Sequence, residues 1–322
     1  MRRVKRFIAV PILLLCTVAI QAQRPSDPAL LVPETAPPLD YVPVAQAVTL
    51  PAGTTMGATA AVAFDARGHL YVLARGGTPF FEFDPAGNYV RSFGEPMVRA
   101  HGLRIDRDGN LWVTDVGAHT AMKFTPKGDL LLTLGVKGQA GAWDEAAGER
   151  KLNQPNDIAI AASGDVFIAQ GHTPGLARGD ARILKFDRTG RFIKSWGGKG
   201  KGPGQFDVAH GIAIDAKGLL WVMDRENQRI QVFDLDGAFV REMKYAGLPC
   251  SVDIGKEYVY MVNGFAGQLL RLDLAGKVLA ATGRPGTALG EFGEAHFLAV
   301  SPRDELFVAD SVNGALVKFV KR

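Results

Sequence analysis

From about residue 57 onward, one pattern of apolar and polar positions recurs along the chain. Residues 210–243 display it in full: HGIAID-AKG-LLWVMD-RENQ-RIQVFD-LDG-AFVREM. Apolar and polar residues alternate over five or six positions, a D-x-G or K-G pair follows, and the alternation resumes. A period of two marks strands buried on one face, and the glycine pairs mark tight turns. Four short strands per unit, at a period of about forty residues, predict the blade of a β-propeller. Units start at Ala60, His101, Asn156, His210, Cys250 and His296, so the expected fold is all-β with six blades. The sixth unit ends at Lys318-Phe319-Val320 and lacks an outer strand. Residues 45–50 form a spare alternating segment, expected to supply that strand and close the ring, which removes an open edge. Residues 138–153 and 173–180 exceed the repeat, and long loops on a rigid scaffold often carry function.

The start of the chain reads differently. Arg2, Arg3, Lys5 and Arg6 precede an apolar run from Phe7 to Ile20, followed by Ala22. This is the form of a signal peptide over 1–22, which predicts export to the periplasm or medium and no membrane span after processing. Residues 23–44 carry six prolines and read as an extended tether, leaving 45–322 for the propeller. Charge then changes meaning. The 37 basic and 33 acidic residues give +4, but four of the basic residues lie in the first six. Without them the charges balance, so nothing argues for a nucleic-acid partner. Only Cys250 follows the signal, which excludes an internal disulfide in the mature chain.

Blade geometry places side chains. The first strand of each blade lies innermost and starts at the rim residue; the second strand returns to the same face. Three of the six rim residues are histidines, His101, His210 and His296, and they fall in alternate blades about 120° apart. Three imidazoles on rigid strands, with no fourth protein ligand evident, describe a zinc site with a position open for water or substrate. Arg75 and Arg225 follow the second strands of blades one and four, and His172 follows that of blade three. The arginine fork suits a carboxylate, so the expected ligand is a small molecule or peptide bearing one. Cys250 reads as an inert apolar rim residue. Asn156-Asp157 either attracts calcium or satisfies turn backbone groups. His69 reads as solvated, His119 as a packing residue, and Phe83, Phe124, Phe186 and Phe233 as blade core.

Together HGLRIDRDGNLWVTDVGAHTAMKF, QPNDIAI and HGIAIDAKGLLWVMDRENQRIQVF resemble the NHL-type six-bladed propeller of peptidyl-α-hydroxyglycine α-amidating lyase, over residues 57–322. The resemblance implies zinc on His101, His210 and His296, with Arg75 and Arg225 at the substrate. It implies cleavage of a peptide ending in α-hydroxyglycine to a peptide amide and glyoxylate. A base takes the hydroxyl proton in that family, where a tyrosine stands in place of His172; an imidazole can do the same near neutral pH. A structural calcium on main-chain oxygens is implied at Val62 and Leu103. Its aspartate ligand is replaced here by Phe297, and a methionine near the metal by Glu294.

Two other classes fit an NHL propeller. One is a non-catalytic module that binds protein or glycan through one face. The other is a calcium-dependent hydrolase such as a lactonase, which needs axial carboxylates and amides where this rim has histidines. A monomer is expected in each case.

Overall fold

In a computed structural model that describes residues 24–173 and 180–322, the chain forms six four-stranded antiparallel sheets arranged as a ring. The proposed signal segment and the centre of the loop at 173–180 lie outside the described residues. The inner strands are Ala58–Phe64, Ala100–Ile105, Pro155–Ile160, Ala209–Ile214, Pro249–Ile254 and Ala295–Val300. Each packs against the inner strands of its two neighbours.

The apolar alternation has its outlet between blades. Six buried clusters form, one at each interface. Ala60, Leu73 and Phe80 of blade one meet Ala100, Leu103 and Val113 of blade two. Val62, Val72 and Phe83 of blade one meet Phe307 and Ala309 of blade six. The cluster between blades five and six runs outward to Phe319 and Tyr41. Phe83, Phe186 and Phe233 are fully buried and Phe124 packs against the core, as the alternation requires.

The turns repeat as well. Asp106 accepts the Asp108 and Asn110 amides and caps the Trp112 indole N–H at 3.1 Å. Asp215 does the same for Lys217, Leu219 and Trp221. The aspartate three residues before the turn glycine thus anchors both the turn and the aromatic residue of the next strand.

The ring is closed from the N-terminal side, but by Tyr41–Val44 rather than residues 45–50. This strand pairs antiparallel with Ala315–Lys321 as the outer strand of blade six. Pro43 argues against a strand in the sequence, yet the outermost strand is where a missing N–H does no harm. Residues 45–50 lie along blade one instead, where Thr49 exchanges hydrogen bonds with Gly87 and Tyr89. The proline-rich segment also packs more than a tether would. Leu39 and Tyr41 are buried, Pro37 and Leu39 bond Ala281 of blade five, and Asp40 pairs with Arg271 at 2.6 Å. Residues 138–153 fold back as a small hairpin, Trp143–Asp144 with Glu149–Arg150, whose Trp143 stacks on Phe192 and meets Phe186 edge-on. Among the described residues no helix is long and apolar enough to cross a membrane.

Candidate metal centre and anion site

Every inner strand begins with a break in its pairing. The register shifts between Thr59 and Ala61, Ala100 and Leu103, Pro155 and Asp157, Ala209 and Gly211, Pro249 and Ser251, and Ala295 and Phe297. The skipped residues include the six rim residues. A bulge leaves one residue unpaired and re-aims its side chain. Here it frees His101, His210 and His296 from the sheet and turns their rings together. The other three rim residues contribute their freed carbonyls. His101 Nδ1 donates to Asn156 O at 2.8 Å, His210 Nδ1 to Cys250 O at 2.9 Å, and His296 Nδ1 to Ala60 O at 2.7 Å. Each histidine is therefore oriented by the main chain of the following blade. In two copies the next residue is glycine because that carbonyl lies close. A Cβ on Gly102 would stand 2.7 Å from Asn156 O, and one on Gly211 2.4 Å from Cys250 O.

A carbonyl only accepts, so each Nδ1 carries the proton and each Nε2 presents a lone pair. His101 Nε2 and His296 Nε2 stand 3.2 Å apart with no proton to share. His210 Nε2 is buried without a partner among the described residues. The ligating atoms of the three lie within 4.8 Å of one another. Two nitrogens on a tetrahedral zinc are separated by about 3.3 Å. Burial, with the neighbouring imidazoles and arginines, holds all three well below the usual histidine range, so they are neutral and fit to ligate. The arrangement can hold a metal ion.

His172 joins this cluster as a fourth ring, its centroid 4.8 Å from His101 and 5.8 Å from His210. It is half-buried, and burial followed by Arg225 and Arg99 keeps it neutral. Arg75 ends the second strand of blade one. Its Nε donates to Ala100 O at 3.0 Å while its Nη2 is buried without an acceptor among the described residues. Burial pulls its pKa down to about 10, against the pull of Glu294. Arg225 differs. Its Nε and Nη2 grip Glu226 at 2.9 and 2.6 Å, and Nη1 lies 3.8 Å from Glu294. Glu294 is buried and accepts from the Ser311 hydroxyl, so its carboxylate serves the arginines and the loop; it is not among the grouped metal ligands.

Sequence reasoning missed Arg99. It is half-buried, its Nε has no partner among the described residues, and it feels both Glu294 and Arg225. The signal was available: the three histidines follow Arg99-Ala100, Val208-Ala209 and Glu294-Ala295. Arg99 therefore stands in blade two where Glu294 stands in blade six.

The ring of Phe297 packs under all three histidines, with centroids 5.6, 5.8 and 4.9 Å from His101, His210 and His296. Below it lies Arg104, its guanidinium 5.5 Å from the Phe297 ring. Arg104 donates to Ile158 O and Ile212 O, each at 3.2 Å, to Leu103 O at 3.4 Å, and to Asp157 at 2.5 Å. At this level Leu103 O accepts from the Arg104 guanidinium, and Phe297 offers no oxygen. Asp157 is engaged within the chain, by Arg104 and two main-chain amides. It accepts Ile158 N and Ile212 N and joins blades three and four.

The remaining residues are structural. Burial pushes the Cys250 thiol up to about 12, so it stays protonated. His119 accepts the Gln154 amide at 3.1 Å. His69 is not simply solvated, since its Nδ1 meets Glu82 at 2.9 Å.

Comparison with known proteins agrees with this architecture. A family profile described as a 6-bladed beta-propeller (DUF5128) matches residues 176–287. Peptidyl-glycine alpha-amidating monooxygenase of Mus musculus is 42% identical over 176 residues, 51% of this chain and 17% of that protein. The probable peptidyl-alpha-hydroxyglycine alpha-amidating lyase pgal-1 of Caenorhabditis elegans is 30% identical over 227 residues, 65% of this chain and 60% of that protein. NHL repeat-containing protein 3 of Mus musculus is 31% identical over 190 residues, 56% of this chain and 53% of that protein. The matches thus span less than two thirds of these relatives. Among solved structures, a streptogramin B lyase superposes with a TM-score of 0.61 at 15% identity, covering 84% of this chain and 95% of that one, which speaks to the fold alone. The chain is a six-bladed β-propeller whose relatives include proteins named as peptidyl-α-hydroxyglycine α-amidating lyases and as NHL repeat proteins.

Proposed function

We propose that this protein is an exported, zinc-dependent carbon–nitrogen lyase. Its substrate is a small molecule or peptide ending in an α-hydroxyglycine-like carbinolamide with a free carboxylate. The observation that carries the reading is the set of three Nε2 lone pairs turned together, two of them 3.2 Å apart and one buried without a partner among the described residues. Zinc held by His101, His210 and His296 supplies Lewis acidity to the substrate hydroxyl oxygen. Arg75 binds the carboxylate through its free Nη2. His172 is neutral and accepts the hydroxyl proton. The O–H electron pair becomes the carbonyl of glyoxylate as the C–N bond breaks. The departing nitrogen takes the proton back from His172, leaving an amide. Arg225 is held by Glu226 through two of its nitrogens and lies 3.8 Å from Glu294. Calcium has no part in this reading, and a monomer suffices because all these residues come from one ring.

The test is glyoxylate release from an N-acyl-α-hydroxyglycine by the zinc-loaded protein. We expect release by the wild type and its loss in His172→Ala with zinc retained. The similarity to NHL repeat-containing protein 3 favours a second reading, a binding module. That reading takes over if zinc-loaded wild type releases no glyoxylate.

A further inference from the structure

We propose that Arg99, together with Arg75, forms the cradle for the substrate carboxylate. The inference rests on the lyase reading only for the identity of the ligand; the cradle itself is built from Arg75 and Arg99.

Arg99 is held in position by its backbone. Its N–H donates to Asp115 Oδ1 at 2.8 Å and its carbonyl accepts Val116 N at 3.0 Å. Its stem lies against Gly117, where a Cβ would stand 3.1 Å from Arg99 Cβ. Arg75 reaches the same spot from the neighbouring blade, because its Nε bonds the carbonyl of Ala100, the residue after Arg99. Each guanidinium then keeps a buried nitrogen without an acceptor among the described residues, Nη2 on Arg75 and Nε on Arg99. Buried charged donors left unanswered are costly, and native structures rarely keep them without a ligand. The two nearby carboxylates are otherwise engaged. Glu226 is gripped by two nitrogens of Arg225, and Glu294 bonds Ser311 and faces Arg225. Among the described residues these two carboxylates leave Arg75 Nη2 and Arg99 Nε unanswered. A single carboxylate completes the set. Arg99 lies two residues before His101, so an anion gripped there stands beside the imidazole cluster.

The probes are benzoylglycine and benzoylglycinamide, which share a shape but differ in the carboxylate and lack the reacting hydroxyl. Their affinities are measured by calorimetry on metal-free and zinc-loaded protein. We expect wild type to prefer the acid in both forms. Arg99→Gln should cut the preference at least tenfold, about what one charge-assisted fork confers. It should leave amide binding and zinc content unchanged. Arg99→Lys keeps the charge but not the fork and should fall between; it gives the reading if the glutamine variant does not fold. An acid preference unchanged in Arg99→Gln, or absent in wild type, overturns the cradle. A cradle that responds to Arg99 in a protein that releases no glyoxylate leaves this inference standing and removes the lyase.

Discussion

The two ends of the propeller axis treat charge in opposite ways. At the bulged end, three imidazoles turn lone pairs together, and His210 Nε2, Arg75 Nη2 and Arg99 Nε lack partners among the described residues. Beyond Phe297, Arg104 places a permanent cation on the axis and each of its nitrogens is answered, by Leu103, Ile158, Ile212 and Asp157. A polar site whose bonds all close within the chain holds blades together. A polar site with bonds left open is shaped for something else. The Phe297 ring separates the two, so a metal on the histidines and the guanidinium of Arg104 do not face each other directly.

The largest effect is expected at the open end. His210→Ala removes one of three ligands, and zinc measured by elemental analysis should fall from about one per chain toward none, with glyoxylate release lost at least a hundredfold. Equal metal in wild type and variant would break the comparison, because the open bonds would then have another purpose. At the closed end, Arg104→Ala should leave zinc in place and cost about 3–5 kcal/mol of stability, since it strands the Asp157 carboxylate in the core. Chelating calcium should leave the wild-type melting temperature unchanged. A calcium-dependent shift would mean that a metal and not Arg104 fills that end.

How much of this was legible depends on which residues the repeat governs. The period places His101, His210 and His296 because they begin repeat units, and it places Arg75, Arg225 and His172 after second strands. The bulge is invisible in the alternation, since HGLRID reads as an ordinary half-buried strand. So the roles of Ala60, Asn156 and Cys250, played by their carbonyls rather than their side chains, left no trace in residue type. Arg99 sits in the connection before its unit, where spacing fixes no register, and only the three aligned Ala-His pairs expose it. Arg104 reads as a solvated residue of an alternating strand until the ring turns that face inward. The closing strand was placed four residues late because Pro43 is a poor strand residue anywhere but at an edge.

A smaller effect concerns pH at the closed end. Burial pushes the Asp157 carboxyl up to about 6, against the pull of Arg104 and two amides. Its folded pKa lies above the unfolded value of about 3.9, so the folded chain holds a proton that the unfolded chain releases between those limits. This group's contribution to stability therefore falls as pH rises through that window and is flat above it. In Arg104→Ala the cation's pull is gone and the folded pKa rises further. The decline should then continue above the wild-type window, where urea unfolding of the wild type should show no such loss. Parallel profiles for the two proteins would show that Arg104 is not the counter-charge of Asp157.

The smallest effects separate main chain from side chain at the open end. Cys250 orients His210 through its carbonyl, and its thiol is protonated and buried. Cys250→Ala should keep the full zinc content and lose only packing, about 1–2 kcal/mol for one buried sulfur. Gly211→Ala changes no ligand and no charge, but its new Cβ would stand 2.4 Å from that same carbonyl. The carbonyl must move, and the His210 ring it holds moves with it. Losing such a supporting hydrogen bond typically weakens metal binding about 10–100-fold, which competition with a chromophoric chelator reads directly. If Cys250→Ala loses zinc while Gly211→Ala keeps it, the thiol and not the carbonyl is the working group. The rim would then be a ring of side-chain ligands rather than histidines aimed by the backbone of the next blade.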